Sequence, residues 1–98
     1  RYQGTGSSQV VPTTLDNAFE CIASKLDEQG SVTFAKGYEP GKTELDQGLI
    51  QEAVDLARSA DAVVLFVGLP AIDESEGFDR EHLDIPRQQE LLINSVCK

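Results

Sequence analysis

Four carboxylates and one guanidinium fall within eight residues, Asp73-Glu74-Ser75-Glu76-Gly77-Phe78-Asp79-Arg80, and Leu83-Asp84-Ile85-Pro86 closes the stretch. Residue types at this density suit acid–base work. Glu76 stands between Ser75 and Gly77, so its backbone is free to approach a substrate. The charges of Asp73, Glu74 and Asp79 disfavour a further negative charge and push a carboxyl pKa upward, the direction a general acid needs at neutral pH. Arg80 acts the other way and can hold Asp79 ionised as a bidentate partner. The competing reading of the same residues is a solvated acidic loop in which Asp79 and Arg80 merely fasten a turn. Clustered carboxylates also attract hard cations, but the alternating acids, central Gly and distal Glu of a calcium loop are absent, so no metal is expected.

Other candidate chemistry is weaker. Gly4-Thr5-Gly6-Ser7-Ser8 invites a phosphate-cradle reading, yet no Gly-Lys-Ser/Thr follows it and no strand pattern precedes it. Cys21 and Cys97 have neither CxxC nor His-rich spacing, which gives no zinc site; buried or half-buried free thiols are expected rather than a disulfide. His82, beside Arg80 and Glu81, reads as a surface residue. No cofactor is expected.

The loop needs elements to hold it. Leu15, Phe19, Ile22 and Leu26 recur at helical spacing, so the sequence predicts a core-facing helix, capped by Thr13 and stopped by Gly30. Ser31 to Ala35 alternates as a short strand, and Gly37, Pro40 and Gly41 make the loop after it. Asp46 or Thr43 caps a second helix with the apolar face Leu49, Ile50, Ala53, Val54, Leu56, Ala57 and Ala60. Gly48 in its first turn costs about 1 kcal/mol against Ala. Ala62 to Val67, unbroken and β-branched, reads as a central parallel strand covered on both faces. Asp84 and Pro86 then mark a last helix that buries Leu92, Ile93 and Val96.

Helix, strand, helix, strand, loop, helix is the order of an α/β protein, here a three-layer α/β/α sandwich with a mainly parallel sheet. The acidic loop follows Val67-Gly68, the carboxyl end of a strand, where open sheets bind ligands. Ninety-eight residues fit one domain, but two strands are too few for such a sheet. The chain lacks an initial Met and ends inside a helical pattern, so an incomplete fragment of a longer protein is expected. A net charge of −9 argues against nucleic acid and anionic membrane as partners. No run has the length of a membrane helix and no signal-peptide pattern opens the chain. The compartment stays open, with the cytoplasm slightly favoured.

At the acidic loop the sequence resembles a known family. Glu74-Ser75-Glu76-Gly77-Phe78-Asp79-Arg80, Leu83-Asp84-Ile85-Pro86 and Gln89-Glu90-Leu91-Leu92-Ile93 are similar to the carboxyl-side α/β domain of glycoside hydrolase family 3, which includes β-glucosidases and β-xylosidases. Gln51 to Gly68 resembles the preceding helix and strand, and Gly4 to Ser8 with Val11-Pro12 resembles the Gly-Ser loop near that domain's start. The resemblance covers nearly all of residues 1–98.

The resemblance implies a retaining β-glycosidase acting on terminal β-linked sugars, with an aspartate nucleophile on an amino-terminal TIM-type barrel and an acid/base glutamate from this domain. Glu76, directly before the Gly-aromatic pair, maps onto that glutamate, with Glu74 as the alternative two residues away. Asp79 and Arg80 would fix the loop, and Gly6, Ser7 and Ser8 would shape the rim of the sugar site. Double displacement needs two carboxyl groups about 5–5.5 Å apart. This chain supplies at most one of them, so in isolation it is expected to be inactive. The rival from another class is a structural or substrate-binding module that packs on a catalytic barrel; a nucleotide-binding domain is the weakest reading.

Overall fold

The computed structural model describes residues 6–70, 73 and 79–98, which divide into two compact units, one up to Phe34 and one from Ala35 to Lys98. Among the described residues there are three α-helices, α1 (Ala18–Ala23), α2 (Gln47–Arg58) and α3 (Arg87–Val96), and one 3-10 turn at Gly6–Ser8.

The first unit is shaped by short-range competition between side chains and backbone. Asn17, not Thr13, caps α1: its side-chain oxygen accepts from the N–H groups of Phe19 and Glu20 at 2.9 and 3.4 Å. Beyond Ala23 the helix stops early. The Ser24 hydroxyl donates to the Cys21 carbonyl, and the Asp27 carboxylate takes the N–H groups of Gln29 and Gly30, each at 3.0 Å. Such local bonds offer the backbone an alternative to the helical ladder. The result is six helical residues where the spacing predicts about four turns. Leu15, Phe19 and Leu26 are exposed rather than core, and Ile22 is half-buried. Phe19 meets Phe34 edge to face, ring centroids 6.3 Å apart.

The second unit carries the better-formed packing. Asp46 caps α2, accepting from Gly48 and Leu49 N–H at 3.0 and 3.2 Å. Arg58 in the last turn complements the helix dipole. Its predicted apolar face packs against α3. Ile50 is buried, Leu49, Ala53, Val54, Leu56 and Ala57 are half-buried, and Ala60 is exposed. Leu92 supplies the buried apolar position of α3, with Ile93 and Val96 half-buried. Burying side chains such as Ile50 and Leu92 contributes about 1.5–3 kcal/mol each. Asp84 does not cap α3; it is exposed, and Pro86 occupies the cap position with no side-chain bond.

The loop before α2 turns through two glycines in the left-handed region, Gly37 (φ 71°) and Gly41 (φ 79°). Gly37 is also buried against α3: a Cβ there would lie 2.8 Å from Leu92 Cδ2. Around it, Lys36 pairs with Glu39, and this bond holds the Glu39 carboxyl below the ordinary carboxylate range.

Two expectations are corrected. The three-layer α/β/α sandwich with a mainly parallel sheet is absent: no strand occurs among the described residues. Neither Ser31–Ala35 nor Ala62–Val67 is a strand, and Val63, Val64, Phe66, Val67 and Phe34 are exposed by 41–70%. An apolar, β-branched run favours extended backbone, but a strand exists only when another strand takes its N–H and C=O groups. The backbone of the run is instead tied by side chains, with Tyr38 Oη donating to the Phe66 carbonyl at 3.1 Å. The cysteines are free, but both Cys21 and Cys97 are exposed, because α1 has no buried face and Cys97 lies at the C-cap of α3.

Gly37→Ala should destabilise by roughly 2–3 kcal/mol, from backbone strain and the clash with Leu92 together, read as a shift in urea midpoint. In a Leu92→Ala background the same change should cost only the backbone part, about 1–2 kcal/mol; additive effects would refute the contact. Because the Glu39 pKa is lowered on folding, its contribution is present above the ordinary carboxylate pKa and is lost as pH falls through the folded value. Lys36→Met should therefore lower neutral stability slightly, as befits an exposed pair, leave stability below the folded pKa unchanged, and so flatten the acid side of a stability–pH curve.

Candidate functional site

The site is assembled at the first turn of α3. Gln88 and Gln89 face protein rather than water, 3% and 1% exposed. Buried carboxamides must find partners, and these two find backbone. Gln88 Nε2 donates to the carbonyls of Glu39 (3.0 Å) and Lys42, which anchors the loop carrying Gly41. Gln89 accepts the Gly68 N–H at 2.8 Å and donates to the Gly68 carbonyl at 2.7 Å. One helix turn thereby holds two separate loops.

Between those loops lies an open cavity of about 1080 Å³, lined by residues 41–43, 69–70, 73, 80–82, 84–91 and 94. Its walls mix both signs of charge, with Lys42, Arg80 and Arg87 against Asp73, Glu81, Asp84 and Glu90. Beside them stand the apolar surfaces of Leu69, Pro70, Ile85 and Leu91. The wall acids oppose the charge of a polyanion. Gln88 Oε1 is buried and has no hydrogen-bond partner among the described residues, since the amide is turned to give its N–H groups to the two carbonyls.

The residues singled out from the sequence fare unequally. Glu74 and Glu76 lie outside the described residues. Asp73 and Arg80 line the cavity, while Asp79 is exposed and does not. No ion pair joins Asp79 to Arg80 among the described residues. Gly6, Ser7 and Ser8 form the 3-10 turn of the first unit, with both serines exposed. His82 is exposed, as expected, with Nδ1 3.8 Å from Asp84 Oδ2. Among the described residues no group of three or more His, Cys, Asp or Glu side chains could hold a metal ion, and no described helix is long and apolar enough to cross a membrane.

Gln88 and Gln89 are the residues that reading the sequence for chemistry missed. Their signal was positional: two adjacent carboxamides in the turn before Leu92, where the helical period leaves room for one apolar side chain and two buried ones sit instead.

Known proteins bear on this arrangement. The family model described as the glycosyl hydrolase family 3 C-terminal domain matches residues 1–98. The thermostable beta-glucosidase B of Acetivibrio thermocellus is 43% identical over 98 residues, spanning 100% of this chain and 13% of that protein. The exo-alpha-(1->6)-L-arabinopyranosidase of Bifidobacterium breve is 42% identical, over 99% of this chain and 12% of that protein. A probable beta-glucosidase J of Neosartorya fischeri is 43% identical over 76% of this chain and 9% of its own length. The chain thus spans about an eighth of the length of the first two relatives. With the match running from the first residue to the last, the chain belongs to the glycosyl hydrolase family 3 C-terminal domain family.

Proposed function

We propose that this chain is the part of a retaining β-glycosidase that presents the acid/base carboxyl group, with Glu76 in that role. What carries the reading is the match over residues 1–98 to a domain of glycosidases, together with relatives named for glycoside cleavage. The acidic stretch lies in the sequence between Gly68, pinned by Gln89, and α3, and its described members Asp73 and Arg80 line the cavity.

The chemistry proceeds in two steps. In the first, Glu76 gives its proton to the glycosidic oxygen as the bond to the anomeric carbon breaks, while a carboxylate elsewhere in the enzyme attacks that carbon. In the second, the ionised Glu76 takes a proton from water, which displaces the carboxylate and releases the sugar. A carboxyl group serves both steps only if it is protonated at working pH when the substrate binds. The neighbouring acids favour this by opposing a further negative charge. Asp79 and Arg80 support the loop, and Gly6, Ser7 and Ser8 belong to the rim of the sugar site in this reading. The partner is a TIM-type barrel that carries the nucleophilic aspartate, and the substrate is a β-glucoside or a related carbohydrate. The isolated chain, with one carboxyl group of the pair, is inactive.

In the full-length enzyme, Glu76→Ala should lower kcat/KM on alkyl glucosides by about 10²–10⁴-fold. A dinitrophenyl glucoside, whose leaving group needs no proton, should be cleaved at a near-normal first step, and added azide should restore turnover by replacing activated water. Equal losses on both substrates without azide rescue would sink the assignment. Glu74→Ala, run in parallel, should leave the leaving-group dependence unchanged; if it shows the signature and Glu76→Ala does not, the acid is Glu74.

A further inference from the structure

We infer that Gln89 is a positioning residue for the acid/base loop, acting through the backbone of Gly68; this rests on the reading of the loop given above. Gln89 has the most completely buried large side chain among the described residues. Its Oε1 accepts the Gly68 N–H at 2.8 Å and its Nε2 donates to the carbonyl of the same residue at 2.7 Å. A single planar group thus takes both polar atoms of one backbone residue. Two parallel bonds fix the orientation of the Gly68 backbone as well as its distance, which one bond would not. Facing residues of an antiparallel pair exchange the same two bonds, so the carboxamide supplies from a side chain what a neighbouring strand would otherwise give.

The tie sits where it matters for the loop. Gly68 ends the apolar run, Leu69 and Pro70 continue into the cavity wall, and the acidic stretch opens at Asp73. Gln89 itself is held by α3, its N–H bonded to the Pro86 carbonyl at 2.9 Å. The chain therefore enters the loop from a point fixed to a rigid helix. Sterics among the described residues do not account for glycine at position 68, since a Cβ there would meet none of their atoms within 4 Å and the backbone is not left-handed. Gln88 has different targets, the carbonyls of Glu39 and Lys42, so the neighbouring carboxamides divide the work: one holds the far wall, the other the root of the loop. A general acid acts only within hydrogen-bond reach of the leaving oxygen, and a displacement of about 1 Å costs on the order of 10²-fold.

The test compares Gln89→Leu, Gln89→Glu, Gln88→Leu and Glu76→Ala in the full-length glycosidase, each on an alkyl and a dinitrophenyl glucoside, with and without azide. Gln89→Leu should lower kcat/KM by roughly 10–10²-fold on the alkyl glucoside and by less than about 3-fold on the dinitrophenyl one. Gln88→Leu should lower the melting temperature without that discrimination. Gln89→Glu keeps an acceptor for the Gly68 N–H but meets the Gly68 carbonyl with a second oxygen; its alkyl-glucoside activity should recover towards low pH, relative to wild type, as the buried carboxyl gains a proton to donate. Equal losses of Gln89→Leu on both substrates, or no recovery of Gln89→Glu at low pH, overturn the inference while leaving Glu76 in place. If Glu76→Ala itself shows no leaving-group dependence, the reading of the loop falls and the inference with it.

Discussion

Two adjacent carboxamides are removed from water at the start of α3, and the second unit is arranged so that all but one of their polar atoms, Gln88 Oε1, are hydrogen-bonded among the described residues. A buried amide left without partners costs about 1–3 kcal/mol, comparable to what one core side chain contributes. Gln88 and Gln89 avoid most of that cost by taking backbone groups that would themselves need partners: the carbonyls of Glu39 and Lys42, and both polar atoms of Gly68. The exchange is mutual, because these loop segments have no ladder of their own. Ile50 and Leu92 are the buried apolar residues among those described. With so little apolar burial, directional bonds decide where the loops lie. Leu92, one turn on, meets Gly37 so closely that no side chain fits there, which brings the same loop onto the same helix from the apolar side.

That balance explains which features were legible in the sequence. The second helix was, because all its determinants are local: a capping Asp46, an apolar stripe from Leu49 to Ala57, and Arg58 at its end. The Gly37 and Gly41 turns were legible for the same reason, since a left-handed backbone selects glycine directly. The first helix was misjudged in length, because the stripe Leu15, Phe19, Ile22, Leu26 is a pattern of period alone. It does not reveal that Asn17 bonds the backbone at the start of the helix, or that Ser24 closes its end with its N–H on the Glu20 carbonyl and its hydroxyl on that of Cys21. Periodicity proposes a helix; competing side-chain bonds set its bounds.

The strands failed for a different reason. Helical hydrogen bonds close within a segment, so a helix can be read from that segment, whereas a strand is a property of two segments. Ala62–Val67 has the composition of a buried strand, and the described residues place it without one, its valines and Phe66 exposed. Composition reports what a segment would favour given a partner and cannot supply the partner. The site was legible in the opposite sense. The acidic stretch drew attention by its residue types, whereas the carboxamides that tie the neighbouring loops were passed over because glutamine reads as a surface residue.

Chemistry in sequence and support in structure are therefore separate kinds of information. A general acid announces itself by type and neighbours, since its proton affinity depends on nearby charge. A side chain that holds a loop does so here through backbone atoms, which every residue has, so its partner carries no sequence mark at all. Gly68 illustrates the point: nothing among the described residues around it requires glycine, and what Gln89 holds is its N–H and C=O. A substitution at Gly68 that kept both groups would keep the tie, while a change at Gln89, twenty-one residues away, removes it. The position of this backbone is fixed by the residue that reads it, not by the residue being read.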